Sequence, residues 1–237
     1  GLADVRDRRG RPGRDGGRVM SYPRHLGTYW PDDDYSIARS VGGFTVENPA
    51  VLLHEPGRAV ALKATDLQIV LELSIGTEDR LLDRDGQMTT ELGNINAGLV
   101  EAGLRERLLA IMPGEEWQGA WTRGDLRDWR LVQQAGDGPT RQVDAIIGAL
   151  GGLARTIRAV FPNTPVGHVE PFWNHDASVP ALYWPPPEEY DFLGIDAYVD
   201  HEITRRRWDS IVPLRLLAAS RYGKPLLVVP QCFREDV

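Results

Sequence analysis

Tyr190–Asp200 reads YDFLGIDAYVD, a short apolar run that ends in an acid beside aromatics. Three more segments have this form: Leu109–Trp117 (LAIMPGEEW), Val166–Trp173 (VGHVEPFW) and Lys224–Phe233 (KPLLVVPQCF), the last ending in the amide Gln231. Brief apolar runs bounded by Gly and Pro read as strands buried on both faces, as in a parallel sheet. Polar groups and Trp gathered at such strand ends are how a parallel barrel builds a site for a polar, ring-shaped ligand.

Working outward, His25–Trp30 (HLGTYW), Gly43–Glu47 and Gln68–Ser74 (QIVLELS) read as three earlier strands. Helical patterns fall between the strands. Asp32–Ser40 opens with acids that suit a helix N-terminus, and Gly57–Asp66 follows the Pro56–Gly57 break. Leu92, Ile95, Leu99 and Leu108 keep roughly helical spacing, and Gln142–Phe161 carries one apolar face from Val143 to Val160. Trp208–Tyr222 is closed by Gly223, where a left-handed cap is expected.

Seven strands alternating with helices, and no hairpin signal, predict an α/β protein with right-handed crossovers. The expected architecture is a TIM-type (β/α) barrel over residues 20–237. It is either an eight-unit barrel lacking its last βα unit or a seven-stranded variant. Gly1–Val19, with six Arg, three Asp and five Gly, reads as a disordered or leader-like tail without the apolar stretch of a secretory signal. The stretch after strand one, HLGTYWPDDD, holds a single glycine, which argues against a dinucleotide-binding loop.

Composition narrows the partners. The 237 residues are 42% hydrophobic and 26% charged, an ordinary globular balance. A net charge of −7 argues against a nucleic-acid surface and suits a neutral ligand. No run approaches the length of a membrane span, so no membrane partner is expected. Cys232 is the one cysteine, which excludes an intrachain disulfide and a cysteine-based zinc cluster. It reads as a small apolar residue at a strand end. The sequence names no cofactor, no compartment and no oligomeric state.

Barrel strands alternate between lumen and helix layer, and chemistry sits at their C-terminal ends. On strand four, Ala110, Met112, Gly114 and Glu116 are read toward the lumen, with Leu109 and Ile111 toward the helices. His168 and Glu170 share a face of strand five and are read toward the lumen, where burial of such groups needs partners. A His–Glu metal pair lacks a third ligand in the sequence, so no metal is expected. Gly194, Asp196 and Tyr198 share a face of strand six. Gln231 ends strand seven, Tyr29 and Trp30 close strand one, and Glu72 on strand three is either a lumen acid or a buried structural one. Seven Trp are present, and Trp117, Trp121, Trp173 and Trp184 fall in loops at one end. An exposed indole packs on the apolar face of a sugar ring.

The segment D-F-L-G-I-D-A-Y (Asp191–Tyr198) resembles the D-x-x-G-x-D-x-Y stretch of β/α-barrel glycoside hydrolases. The end of strand four, PGEEW, is similar to the strand end that carries their acid/base. KPLLVVPQCF looks like strand seven of uncharacterised glycosidase-like barrels. The resemblance implies hydrolysis of glycosidic bonds, with Glu116 as general acid/base. Retaining members place a nucleophilic Glu where this chain has Gln231, and an amide cannot attack an anomeric carbon. Asp196 or Glu170 would then supply the second carboxylate, at about 5–5.5 Å for retention or about 6.5–9.5 Å for inversion. In this reading Tyr29, Trp30, Trp117, His168, Trp173, Tyr198 and Gln231 hold a carbohydrate ligand. The alternative is a degenerate barrel that binds sugars without cleaving them.

Overall fold

The computed structural model describes residues 27–29, 35–55, 57–114, 117, 120–121, 124–171, 185–198 and 222–231. For residues 27–29, 37, 40–41, 170–171, 195–198 and 226–231 the backbone alone is described. The Gly1–Val19 tail, Trp30, Glu116, Trp173, Trp184, Cys232 and the Trp208–Tyr222 helix up to residue 221 lie outside the described residues.

The chain is α/β with parallel sheets. One sheet runs β1 (Gly27–Tyr29), β2 (Phe44–Glu47), β3 (Gln68–Glu72), β4 (Leu108–Met112) in that order. The other runs β5 (Gly167–Pro171), β6 (Phe192–Tyr198), β7 (Leu226–Gln231). Every strand pairing is parallel. A parallel bridge between Ile111 and Val166 links the two sheets at β4 and β5, and β1 lies beside β7.

Short helices fill the crossovers: α1 (Ser36–Val41), α2 (Pro49–His54), α3 (Arg58–Lys63) and α4 (Glu78–Leu81). The longer ones are α5 (Gln87–Glu101) and α7 (Pro139–Val160), with α6 (Arg130–Gln134) before the latter. Local signals explain several starts. Asn48 caps α2 by accepting from Ala50 N at 2.9 Å, with Pro49 at the first helical position where its missing N–H costs nothing. Pro139 plays the same part in α7, which begins three residues before its expected start. Sequence periodicity missed α2 because six residues are too few to show a repeat.

Strand alternation divides the apolar residues into two cores. The outer core joins Ile69, Leu71, Ile111 and Val166 to Met88, Leu92, Ile95 and Leu99 of α5 and Ile146, Leu150, Leu153 and Ile157 of α7. The inner core consists of Phe44, Val46, Val70, Ala110, Met112, Val169 and Phe192, drawn from β2, β3, β4, β5 and β6. Ala110, Met112 and Ile111 therefore face as their alternation predicts. Leu109 packs on the inner core instead of the helix layer, because the register slips by one residue between Ile69 and Val70.

Two glycines allow the inner core to close between β5 and β6. A Cβ on Gly167 would stand 2.3 Å from the Phe192 carbonyl oxygen, and one on Gly194 would stand 2.4 Å from a Val169 methyl carbon. Only glycine permits that approach.

Candidate functional site

Strands β2 and β3 both end in glutamate, and the two carboxylates have different surroundings. Glu47 follows the inward-facing Val46, so it points into the helix layer, and it is 1% exposed. Thr45 Oγ1 donates to Glu47 Oε1 at 2.8 Å, and Arg58 Nε reaches Oε2 at 3.3 Å. The Arg58 guanidinium also stacks 5.1 Å from the Tyr35 ring centroid. Burial pushes the Glu47 carboxyl above the ordinary carboxylate range, and Thr45 and Arg58 pull it back without cancelling the effect. Burial lowers the Arg58 guanidinium, and the charges of Glu47 and Tyr35 more than restore it. The Tyr35 hydroxyl is buried beside Glu47. Burial, and then the Glu47 charge, raise that phenol well above its usual value. Tyr35 itself is held at φ 59°, a left-handed conformation that costs an L residue about 1–2 kcal/mol. This fully enclosed cluster is a structural ion pair, closed to ligand.

Glu72 has the other parity. It follows Leu71, which faces outward, and pairs in register with Met112 of the inner core. Past the ends of β3 and β4 it lines a cleft of about 350 Å3 together with Ser74, Gly114, Trp117, Asp125 and Trp129. Trp117 and Trp129 meet edge to face, with ring centroids 5.9 Å apart. Gly114 takes φ 82° and lies under the Trp117 ring. The position combines carboxylates, a hydroxyl and indole edges at the C-terminal ends of parallel strands, where α/β proteins bind ligands. A larger groove of about 770 Å3 lies between α2 and α5. In it, Arg80 Nη2 donates to both Glu91 carboxylate oxygens, at 2.5 and 2.7 Å, and Ser74 lines both the groove and the strand-end cleft.

The structure places the residues singled out from sequence unevenly. Trp117 does line the cleft, but it is 4% exposed and its indole N–H donates to Pro113 O at 2.9 Å. It is a wedge in the wall and offers no open stacking face. His168 corrects the expectation of a lumen-facing side chain. Val169 enters the inner core, so His168 faces the other way, edge to face with Tyr190 at 5.2 Å. The strand was read in the wrong parity for want of its register with β6, where Val169 stands opposite Gly194.

Glu170, Asp196, Tyr198, Gln231 and Tyr29 are described as backbone positions. Glu170 pairs with Ile195, Pro171 with Asp196, Tyr198 with Gln231, and Tyr29 with Val46. The first four therefore gather at the C-terminal edge of the second sheet. Among the described residues no group of three or more His, Cys, Asp or Glu is arranged to hold a metal, and no helix is long and apolar enough to cross a membrane. Glu47, Arg58 and Tyr35 carried no motif in the sequence. Asp125 and Trp129 lie between β4 and α7, where no sequence motif singled them out.

No protein-family model matches the chain, and no curated protein matches it. Among solved structures it is similar to 3-keto-D-glucoside 4-epimerase, YcjR, from E. coli, in its apo form. The identity is 11% and the TM-score 0.46, over 89% of this chain and 93% of that one. A likeness at this level transfers no activity. The glycoside hydrolase resemblance is nonetheless corrected: no such family matches, and the structure found is that of an epimerase. Glycosidic hydrolysis with Glu116 as acid/base and Asp196 or Glu170 as partner is withdrawn with it. The motifs behind it are short strand ends, a pattern that parallel strands share for packing reasons alone.

Proposed function

We propose that the seven strands close into a (β/α) barrel and that its C-terminal mouth takes a carbohydrate, on which carboxylates of the strand ends move protons. Support for closure comes from the inner core, which draws on strands of both sheets, from the Ile111–Val166 bridge, and from β1 lying beside β7. The observation that carries the ligand is the cleft at the ends of β3 and β4. Its volume of about 350 Å3 falls within the about 300–1,000 Å3 of small-molecule sites.

Hydroxyl groups of a sugar need acceptors and donors at fixed positions. Glu72 and Asp125 supply acceptors and Ser74 supplies both. The Trp129 ring gives an apolar wall for a ring face. Glu72 stands on the inner face of its strand and is the acid/base group of this reading. Asp196, Tyr198 and Gln231 complete the mouth from the second sheet, whereas Glu170 shares the His168 face of β5 and is left out of it. Tyr29, the last residue of β1, belongs to the rim of the mouth.

Calorimetric titration with a panel of monosaccharides and keto-sugars tests binding. Glu72→Gln, Asp125→Asn and Trp129→Ala are each expected to weaken it by about tenfold, the loss of one good polar or stacking contact. Proton transfer is read by NMR in deuterium oxide, as exchange into a carbon-bound position of the sugar. Glu72→Gln should slow that exchange by about 100-fold or more. Sugar binding indifferent to all three substitutions would remove the site from this cleft.

A further inference from the structure

We propose that Glu78 is a latch across this cleft, a positioning residue that holds Trp129 in its wall. The ligand part of the inference rests on the reading above. The loop after β3 runs from Glu72 through Ser74 and Gly76, all lining the cleft on one side. It ends at Thr77, whose hydroxyl oxygen caps α4 by accepting from Arg80 N, and Glu78 is the first residue of that helix. The Glu78 side chain does not serve its own helix. It reaches 52 residues along the chain, where Oε2 accepts from Arg130 N at 3.1 Å. Oε1 accepts from Leu131 N at 2.6 Å.

Those two N–H groups belong to the first turn of α6. Its N-cap is Trp129, an indole with no oxygen to cap the helix. The first N–H groups of a helix lack partners within it, and an anion beside them is favoured by both hydrogen bonding and the helix dipole. Glu78 therefore supplies from a distant loop the cap that Trp129 cannot provide. It is 11% exposed, and Arg84 approaches it at 3.7 Å. Trp129 lines the opposite side of the cleft and packs edge-on against Trp117. One carboxylate thus ties the β3 loop to the segment that carries Trp129, and so sets the distance between the two walls.

Near-ultraviolet circular dichroism of the whole chain tests this directly. Glu78→Ala should produce a difference spectrum of the same sign and shape as Trp129→Phe, at about half its amplitude or more, with the far-ultraviolet spectrum unchanged. Glu78→Gln keeps one acceptor and should retain most of the signal. In a Trp129→Phe background, Glu78→Ala should add nothing further. An unchanged aromatic band in Glu78→Ala, or an effect of full size in the Trp129→Phe background, would overturn the latch. Sugar affinity should fall about tenfold in Glu78→Ala and recover in Glu78→Gln. If the wild-type chain binds no sugar, the proposed function fails while the Trp spectra still decide the latch.

Discussion

Glu47 and Glu72 each close a neighbouring strand of the same sheet, yet one belongs to the helix layer and the other to the cleft. The difference is parity. Phe44 and Val46 face inward on β2, leaving Thr45 and Glu47 for the outside; Val70 faces inward on β3, and so does Glu72 two residues on. Outside, a carboxylate is covered by α1 and α3 and must find a counter-charge, which Arg58 provides. At the strand end, it lines a cleft. A strand-end acid is therefore no guide to function until its face is known.

The sharpest way to break this contrast is to remove the counter-charge in the helix layer. Arg58→Met leaves Glu47 buried without a partner and should cost about 3–5 kcal/mol at neutral pH. The pH dependence follows from the raised carboxyl. With its folded pKa above the unfolded one, the folded chain holds more protons between the two values, so stability falls as pH rises through that window. The loss in Arg58→Met should therefore shrink on acidification through the carboxylate range, and Glu47→Gln should abolish this slope. Urea denaturation at a series of pH values measures both. A cost under about 1 kcal/mol for Arg58→Met would mean that the pair is open to water.

The inner core is tested next, at its tightest contact. Gly167→Ala drives a methyl into the Phe192 backbone and should destabilise by about 1–3 kcal/mol or more, read by the same denaturation. A neutral result would show that β5 and β6 do not meet as closely as described.

At the cleft wall the effects are smaller. Trp117→Phe keeps most of the ring and loses the indole bond to Pro113, leaving a buried carbonyl without its donor; a cost of about 1–2 kcal/mol is expected by thermal or urea unfolding. Glu72→Gln should cost clearly less stability than Arg58→Met while sugar affinity falls. If Glu72→Gln proved as costly to the fold as Arg58→Met, the two glutamates would share a structural role and the contrast would vanish.

Much of the fold was legible from local pattern. The apolar runs of β3, β4, β5, β6 and β7 and the long face of α7 follow from strand and helix periodicity, which acts over a few residues. The site was legible only in part. Glu72 and Trp117 were visible as a lumen candidate and an aromatic at a strand end, but His168 was assigned to the wrong face. The Arg58–Glu47 pair, 11 residues apart, and the Glu78–Leu131 bond, 53 apart, leave no local trace.

The sequence by itself determined the parallel α/β class, because βα alternation without hairpins leaves few other ways to bury each apolar run. Tertiary structure alone decided which face each strand end presents. A shift of one residue in pairing sends every side chain of a strand to the opposite side, and that pairing depends on partners far away in the chain. For this reason Glu47 lies buried with Arg58, while Glu72 lines the cleft with Trp129.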